Sequence, residues 1–280
     1  MQHRRMSTLT YTTYLAIDEL LALQRPRSAP DGDPAHGEHD ELLFIIIHQV
    51  YELWFRQLLH EFDHLAVHFD DAAADPPDHH LPAIRATLHR VRTIWKTMVA
   101  QVDVLETMTP MSFNAFRTRL EASSGFQSVQ FREVEFVLGL RSDRMVAHHA
   151  PHPAAAARLR QRQTEPSLYQ RFLGYLVRIA GSAIPAEVLV PYADGKPPAH
   201  DDVAAALLQI YRENDRLAMV CERLVDLDEG IQEWRYRHVK MVERTIGNKP
   251  GTGGSSGVDY LRSTLFDPLF PDLWSIRAQL

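Results

Sequence analysis

The chemistry open to this chain is carried first by its histidines, fifteen in 280 residues. His60-Glu61-Phe62-Asp63-His64 has the H-E-x-x-H spacing, which sets two imidazoles one helical turn apart to bind zinc beside a glutamate that activates water. A catalytic zinc needs a third protein ligand, yet no histidine or glycine follows at the distance such sites use. Position 63 is a charged aspartate, and no strand edge is at hand to align a peptide. With His68 a further turn on, the stretch reads instead as a polar helix face carrying imidazoles at i, i+4 and i+8. The pairs His79-His80 and His148-His149 fall in loop-like sequence and read the same way.

Two other histidines lie on apolar stripes. His48 shares a face with Phe44, Tyr51 and Phe55, a setting for a hydrogen-bonded core histidine or for one that meets a bound molecule. His238 sits in the series Ile231, Trp234, His238, Met241, Thr245, with Arg235 and Arg237 beside it, and an imidazole so placed can ligate a haem iron. Arg117 follows Phe113 and Phe116. A guanidinium entering aromatic surroundings needs an anionic partner, either a protein carboxylate or that of a ligand. Gly251-Thr-Gly-Gly-Ser-Ser-Gly257 lacks the Gly-Lys-Ser/Thr of a P-loop and follows a helix, so it is either a flexible loop or one whose backbone can approach an anion.

The elements that carry these residues read as helices. Ile84, Leu88, Val91, Trp95, Met98, Val102 and Leu105 step by four and three along one stripe, and no stretch shows sustained alternation, so the fold class is all-α. Asp40 is read as the N-cap of a long helix through Leu42 to Phe69, and Thr109-Pro110 as the start of one to about Leu120. Further helices are expected over Gln127 to Leu138, Pro166 to Ala180, Asp201 to Leu227 and Asp228 to Ile246, the last two adjoining or continuous. The polar or proline-rich stretches at 25–38, 70–82, 141–153 and 185–200 are too short to separate domains, and Pro153 to Arg160, with four consecutive alanines, reads as a surface connection with a short surface helix as the alternative. One domain over 1–280 follows.

Composition narrows the function. Thirty basic against thirty-six acidic residues give a net charge of −6, so no general positive field draws the chain to nucleic acid or an anionic membrane. The single cysteine, Cys221, cannot form an internal disulfide. The basic start Met-Gln-His-Arg-Arg leads into polar residues, unlike a signal peptide, and a cytoplasmic location is expected. The longest unbroken apolar run, Leu42 to Ile47, is well short of the roughly 18 residues of a membrane span.

Several blocks, in order along most of the chain, resemble the tryptophan 2,3-dioxygenase family of haem enzymes. They are Tyr11-Thr-Thr-Tyr14-Leu15, His39-Asp-Glu, Phe44-Ile-Ile-Ile-His48-Gln, Glu52-Leu-Trp, Leu105-Glu-Thr-Met, Phe116-Arg117, Ser123-Ser124-Gly-Phe-Gln-Ser128, Trp234-Arg-Tyr-Arg-His238 and the glycine-rich segment 251–257. The Ser-Ser-Gly-Phe-Gln-Ser and Gly-Thr-Gly-Gly-Ser-Ser-Gly segments are the most specific. The resemblance implies a helical bundle enclosing haem b, assembled as a homotetramer, that uses dioxygen to open the indole ring of L-tryptophan to N-formyl-L-kynurenine. By the same resemblance His238 is the axial iron ligand, Trp234 steadies it or a propionate, and Ser124 lies near the haem. His48 accepts the indole N–H, Arg117 pairs with the substrate carboxylate, Thr252 holds its ammonium, and Phe44 and Phe113 pack on the ring. Tyr11, Tyr14 and Leu15, in an N-terminal segment of about twenty residues, are expected to reach a neighbouring subunit's site.

Three positions depart from common family residues: Phe113, Val102 and Val50, the last beside the distal histidine and able to reshape the pocket. The alternative enzyme is a homologue that inserts one oxygen into a modified tryptophan to give an oxindole. A haem-binding protein without turnover, or the zinc hydrolase of His60, Glu61 and His64, would need neither Arg117 nor Thr252.

Overall fold

All seven residues of the Ile84 to Leu105 stripe are buried in the computed structural model, and the fold is arranged around them. The structure describes residues 8–73, 76, 78–247, 249 and 257–280. In chain order the helices are α1 (Tyr11–Leu15), α2 (Ile17–Leu21), α3 (His39–Asp70), α4 (Leu81–Leu105), α5 (Pro110–Arg117), α6 (Val129–Val137), α7 (Asp143–His148), α8 (Pro153–Thr164), α9 (Leu168–Ala180), α10 (Asp201–Glu213), α11 (Asp215–Ile246), α12 (Val258–Arg262) and α13 (Pro271–Ser275). No strand occurs among the described residues, only an isolated bridge between Arg141 and Gly195. The all-α expectation holds.

α4 packs against α3 on one side and α11 on the other, and α3 also meets α6 and α9. α11 lies tightly on α4 at Gly230, where a Cβ would stand 3.4 Å from the Trp95 Cβ. Several sequence signals act as expected. Thr109 accepts from the Ser112 N–H at 3.1 Å, Ser167 and Gln170 form a capping box, and Gly181 ends α9 in the left-handed region at φ +63°.

Other expectations need correction. α3 begins at His39 rather than after Asp40, because Glu41 is buried and accepts from the backbone N–H groups of Arg27 and Ser28, both at 2.8 Å, tying the preceding loop to the helix. The helix from Pro110 ends at Arg117 and tightens to a 3₁₀ turn at Thr118–Leu120, and the next one is capped by Ser128, with Gly125–Gln127 in a separate 3₁₀ turn. Between 201 and 246 helix runs unbroken through 227 and 228, the continuous alternative, and the break falls instead at Asn214, whose side chain caps α11 by accepting from Leu217 N–H at 3.2 Å. Asp228 starts no helix. It is fully buried and accepts from the N–H groups of Leu269 and Phe270 and from Trp274 Nε1, which holds the C-terminal segment on α11. Residues 153–160 belong to α8, where alanine's helix preference and the buried Ala155, Ala156 and Leu159 give a packed face.

α3 alone among the described helices has the length and hydropathy of a membrane span, although no single apolar run in the sequence does. Phe55, Leu58, Leu59, Phe62, Leu65 and Phe69 of this helix belong to the core, where it packs on α4, α6 and α9, while Ile46, Leu53 and Val67 are exposed.

Candidate active site

Where α3, α4, α5, α6 and α11 converge they leave a mainly apolar cavity of about 300 Å³. His48 on α3 and His238 on α11 both line it, and so do Phe44, Phe113, Arg117, Ser124 and Trp234. The helical stripes explain the convergence. The faces carrying Phe44, His48 and Tyr51, and Trp234, His238 and Met241, turn inward because the rest of each stripe is core.

His48 has a defined tautomer. Its Nδ1–H donates to the Phe44 carbonyl at 2.7 Å, which leaves Nε2 as an acceptor. Burial lowers the His48 pKa from its ordinary value, partly opposed by that hydrogen bond and by Glu52, so the ring is held neutral. Phe44 packs against it at a tilt of 40°, with ring centroids 4.1 Å apart, and lies 5.7 Å from the Phe113 ring. Phe113 in turn meets Phe116 edge to face at 5.4 Å. These rings make an aromatic wall beside a neutral acceptor.

His238 is pushed down to about 4, chiefly by burial and then by the charges of His48 and Arg132, so at neutral pH it offers an uncharged imidazole. Trp234 lies parallel to it, with centroids 5.2 Å apart and planes 7° from coplanar. The buried Trp234 Nε1–H meets no acceptor in hydrogen-bonding geometry among the described residues. Trp234 therefore lies parallel to the His238 ring, with its N–H beside the Tyr51 hydroxyl.

The cavity also has a charged margin that sequence reasoning missed. Arg132 and Arg235, both buried, share the Glu135 carboxylate at 2.5 and 3.1 Å, and Arg235 also donates to the Thr264 carbonyl at 3.0 Å. Two guanidiniums on one carboxylate leave a local charge of +1 beside Tyr260, a setting for an anionic group. The only signal was the i, i+3 pairing of Arg132 with Glu135 and the nearness of Arg235 to the His238 stripe.

Arg117 closes α5 and is half-buried at the cavity. Ser124 accepts from the Phe126 N–H at 3.3 Å, starting a 3₁₀ turn on the cavity wall. Thr252 and the glycine-rich residues 251–256 lie outside the described residues. Tyr11, Tyr14 and Leu15 form α1 away from the cavity and are exposed, the two tyrosines by 76% and 72%. Val50, about 200° around the helix from His48 at 3.6 residues per turn, is absent from the cavity lining, whereas Val102 belongs to it.

The H-E-x-x-H pattern does not assemble. Glu61 is buried and paired with Arg90 at 2.9 Å, while His60 and His64 are exposed. Among the described residues no three metal-ligating side chains converge on one point.

The donor set suits a haem. A neutral imidazole with a stacked indole can serve one face, a second neutral imidazole and an aromatic wall the space opposite, and an unpaired Trp N–H with an arginine-rich margin can serve carboxylates at an edge.

Comparison with known proteins agrees with this arrangement. The family model described as tryptophan 2,3-dioxygenase matches residues 1–183 and 197–280. The tryptophan 2,3-dioxygenase of Anaeromyxobacter sp. (strain K) is 54% identical over 274 residues, covering 98% of this chain and 97% of the relative. That of Herpetosiphon aurantiacus is 56% identical over 273 residues, covering 97% and 98%. The more distant one of Caulobacter vibrioides still shares 42% over 275 residues. Similarity of this extent, spread over nearly the whole chain and including the segments that build the cavity, means that the chain belongs to the tryptophan 2,3-dioxygenase family.

Proposed function

We propose that this chain is a haem-dependent dioxygenase that cleaves the C2–C3 bond of L-tryptophan with dioxygen, giving N-formyl-L-kynurenine. Membership of the family supports the reaction class, and one observation carries the fit to an indole. His48 is neutral, with Nδ1–H committed to the Phe44 carbonyl, so Nε2 is available to an N–H donor and to no acceptor.

Haem b, held by His238 with Trp234 steadying that ring by stacking, would supply the chemistry of dioxygen activation. Everything else asked of the protein is orientation. His48 accepts the indole N–H and sets the ring's rotation, while Phe44 and Phe113 confine its faces. Arg117 pairs with the substrate carboxylate and Thr252 holds the ammonium, so the amino-acid end is read separately from the ring. Ser124 borders the haem pocket. The Trp234 N–H and the Arg132, Arg235 and Tyr260 margin could donate to the carboxylates of such a group. No side chain is needed as a strong base, because a neutral imidazole on the N–H positions the substrate without removing its proton.

The assembly proposed is a homotetramer. Tyr11, Tyr14 and Leu15, with Leu20, Leu21 and Leu23 nearby, expose apolar surface that a neighbouring subunit's active site would cover. The working location is the cytoplasm, with no nucleic-acid or membrane partner.

Incubation of the purified holoenzyme with tryptophan and isotopically labelled dioxygen tests this reading. The expected product is N-formylkynurenine carrying two labelled atoms. A singly labelled oxindole, or turnover confined to a modified tryptophan, overturns it in favour of the monooxygenating homologue. A haem spectrum that shifts with tryptophan but yields no product overturns it in favour of a binding protein.

A further inference from the structure

The histidines that fail to make a catalytic zinc site are brought together in a different way. At the C-terminal end of α3, His64 Nε2 and His68 Nε2 lie 3.1 Å apart, with ring centroids at 4.4 Å. His68 Nδ1 is 3.0 Å from His80 Nδ1, and His80 Nε2 is 2.8 Å from an Asp71 carboxylate oxygen. His80 is the residue preceding α4 and Asp71 the one following α3, so the chain of contacts bridges the ends of two core helices.

We propose that His64 and His68 chelate a divalent transition cation such as Zn²⁺ through their Nε2 atoms, with His80 and Asp71 orienting His68 from behind. The spacing is that of two ligands on one metal. Two nitrogens 3.1 Å apart, each at the usual Zn–N length of about 2.05 Å, subtend about 98° at the ion, between octahedral and tetrahedral values. The contacts behind the pair have the polarity such sites use. His68 Nδ1–H donates to His80 Nδ1, and His80 Nε2–H donates to Asp71, so a carboxylate lies at the end of the relay and His68 Nε2 carries the lone pair. His64 presents its own Nε2 lone pair by moving its proton to Nδ1, with no net loss of a proton.

Two protein ligands leave the other coordination positions to water, consistent with no third side chain converging there among the described residues. The site is distinct from the haem cavity. His64 is sixteen residues beyond His48 on the same helix, about 24 Å at 1.5 Å per residue, and neither His64 nor His68 lines the cavity. A cation there would bridge two successive turns at the C-terminal end of α3 and add to stability by mass action.

Titration calorimetry of the haem-loaded enzyme with Zn²⁺ tests the proposal, alongside His60→Ala, His64→Ala, His68→Ala and His80→Ala variants checked for haem content and helicity. One Zn²⁺ site per chain is expected in the wild type and in His60→Ala, weakened about tenfold in His80→Ala, the lower bound for loss of an orienting partner, and absent in His64→Ala and His68→Ala. Zn²⁺ should raise Tm only in the proteins that bind it. Cu²⁺ electron paramagnetic resonance of the wild type should show two imidazole nitrogens. A wild type without a Zn²⁺ site, a site that survives both His64→Ala and His68→Ala, or one lost in His60→Ala overturns the proposal and leaves the cluster a hydrogen-bonded chain of imidazoles.

Discussion

Replacing His48 with alanine isolates the contact that most directly reads an indole. The imidazole is neutral and its Nδ1–H is taken by the Phe44 carbonyl, so the bond to the substrate N–H is a neutral one through Nε2. His48 is half-buried and borders a cavity, which lets water replace it in the variant. The loss is therefore set by the net worth of a neutral hydrogen bond, about 0.5–1.5 kcal/mol, or roughly a two- to twelve-fold fall in kcat/KM for tryptophan. The assay is steady-state formation of N-formylkynurenine by wild type and variant with tryptophan and with 1-methyltryptophan, which has no N–H to donate. For 1-methyltryptophan the variant should lose nothing and gain where the methyl group no longer meets the ring. The pH dependence has a fixed sign. Because burial lowers the His48 pKa below 6.5, the acceptor persists as pH falls through 6.5, and protonation at lower pH turns Nε2 into a donor that repels the indole N–H. The wild-type advantage should thus persist at about pH 7 to 8, and the midpoint of its loss should lie below pH 6.5. An equal fall for both substrates, or an inflection above pH 6.5 that vanishes in His48→Ala, refutes the reasoning.

Arg117→Ala should keep its haem yet lose roughly 30-fold to several thousand-fold in kcat/KM for tryptophan, from the 2–5 kcal/mol typical of one partner in a desolvated charge pair. Wild-type kinetics that treat tryptamine and tryptophan alike would remove the basis for this assignment. His238→Ala should be purified with little haem and no intense Soret band while keeping its far-ultraviolet helical signal, because the axial imidazole is the proposed strong iron ligand. Asp228→Ala strands three donors of the C-terminal segment in the core, and should cost about 3 kcal/mol or more, lowering Tm by roughly 5–10 °C in thermal melts. An unchanged Tm would mean that residues 269–274 are held by packing alone.

The sequence by itself determined the helices whose apolar residues recur every three or four positions, and so the two stripes that bring His48 and His238 to the centre. Those stripes are local in sequence, and burial of an apolar face is dictated by period alone. The family resemblance was legible for a similar reason, since its blocks are short and continuous. What only the tertiary structure decided depends on partners far apart in the chain. Asp228 looked like a helix start because an acidic residue ordinarily avoids a core, and it sits mid-helix because donors about forty residues away satisfy it. Glu61 was counted with the neighbouring histidines, but Arg90 on α4 draws it inward, and His64 pairs with His68 instead of His60. The arginine margin of the cavity needed Arg132, Glu135 and Arg235 from two helices about a hundred residues apart. Even the tautomer of His48, on which the reading of the indole rests, follows from a bond to a backbone carbonyl that residue identities alone do not reveal. Periodicity tells which face of a helix is buried, whereas the polar partner that makes a buried charge or imidazole tolerable is chosen by three-dimensional proximity.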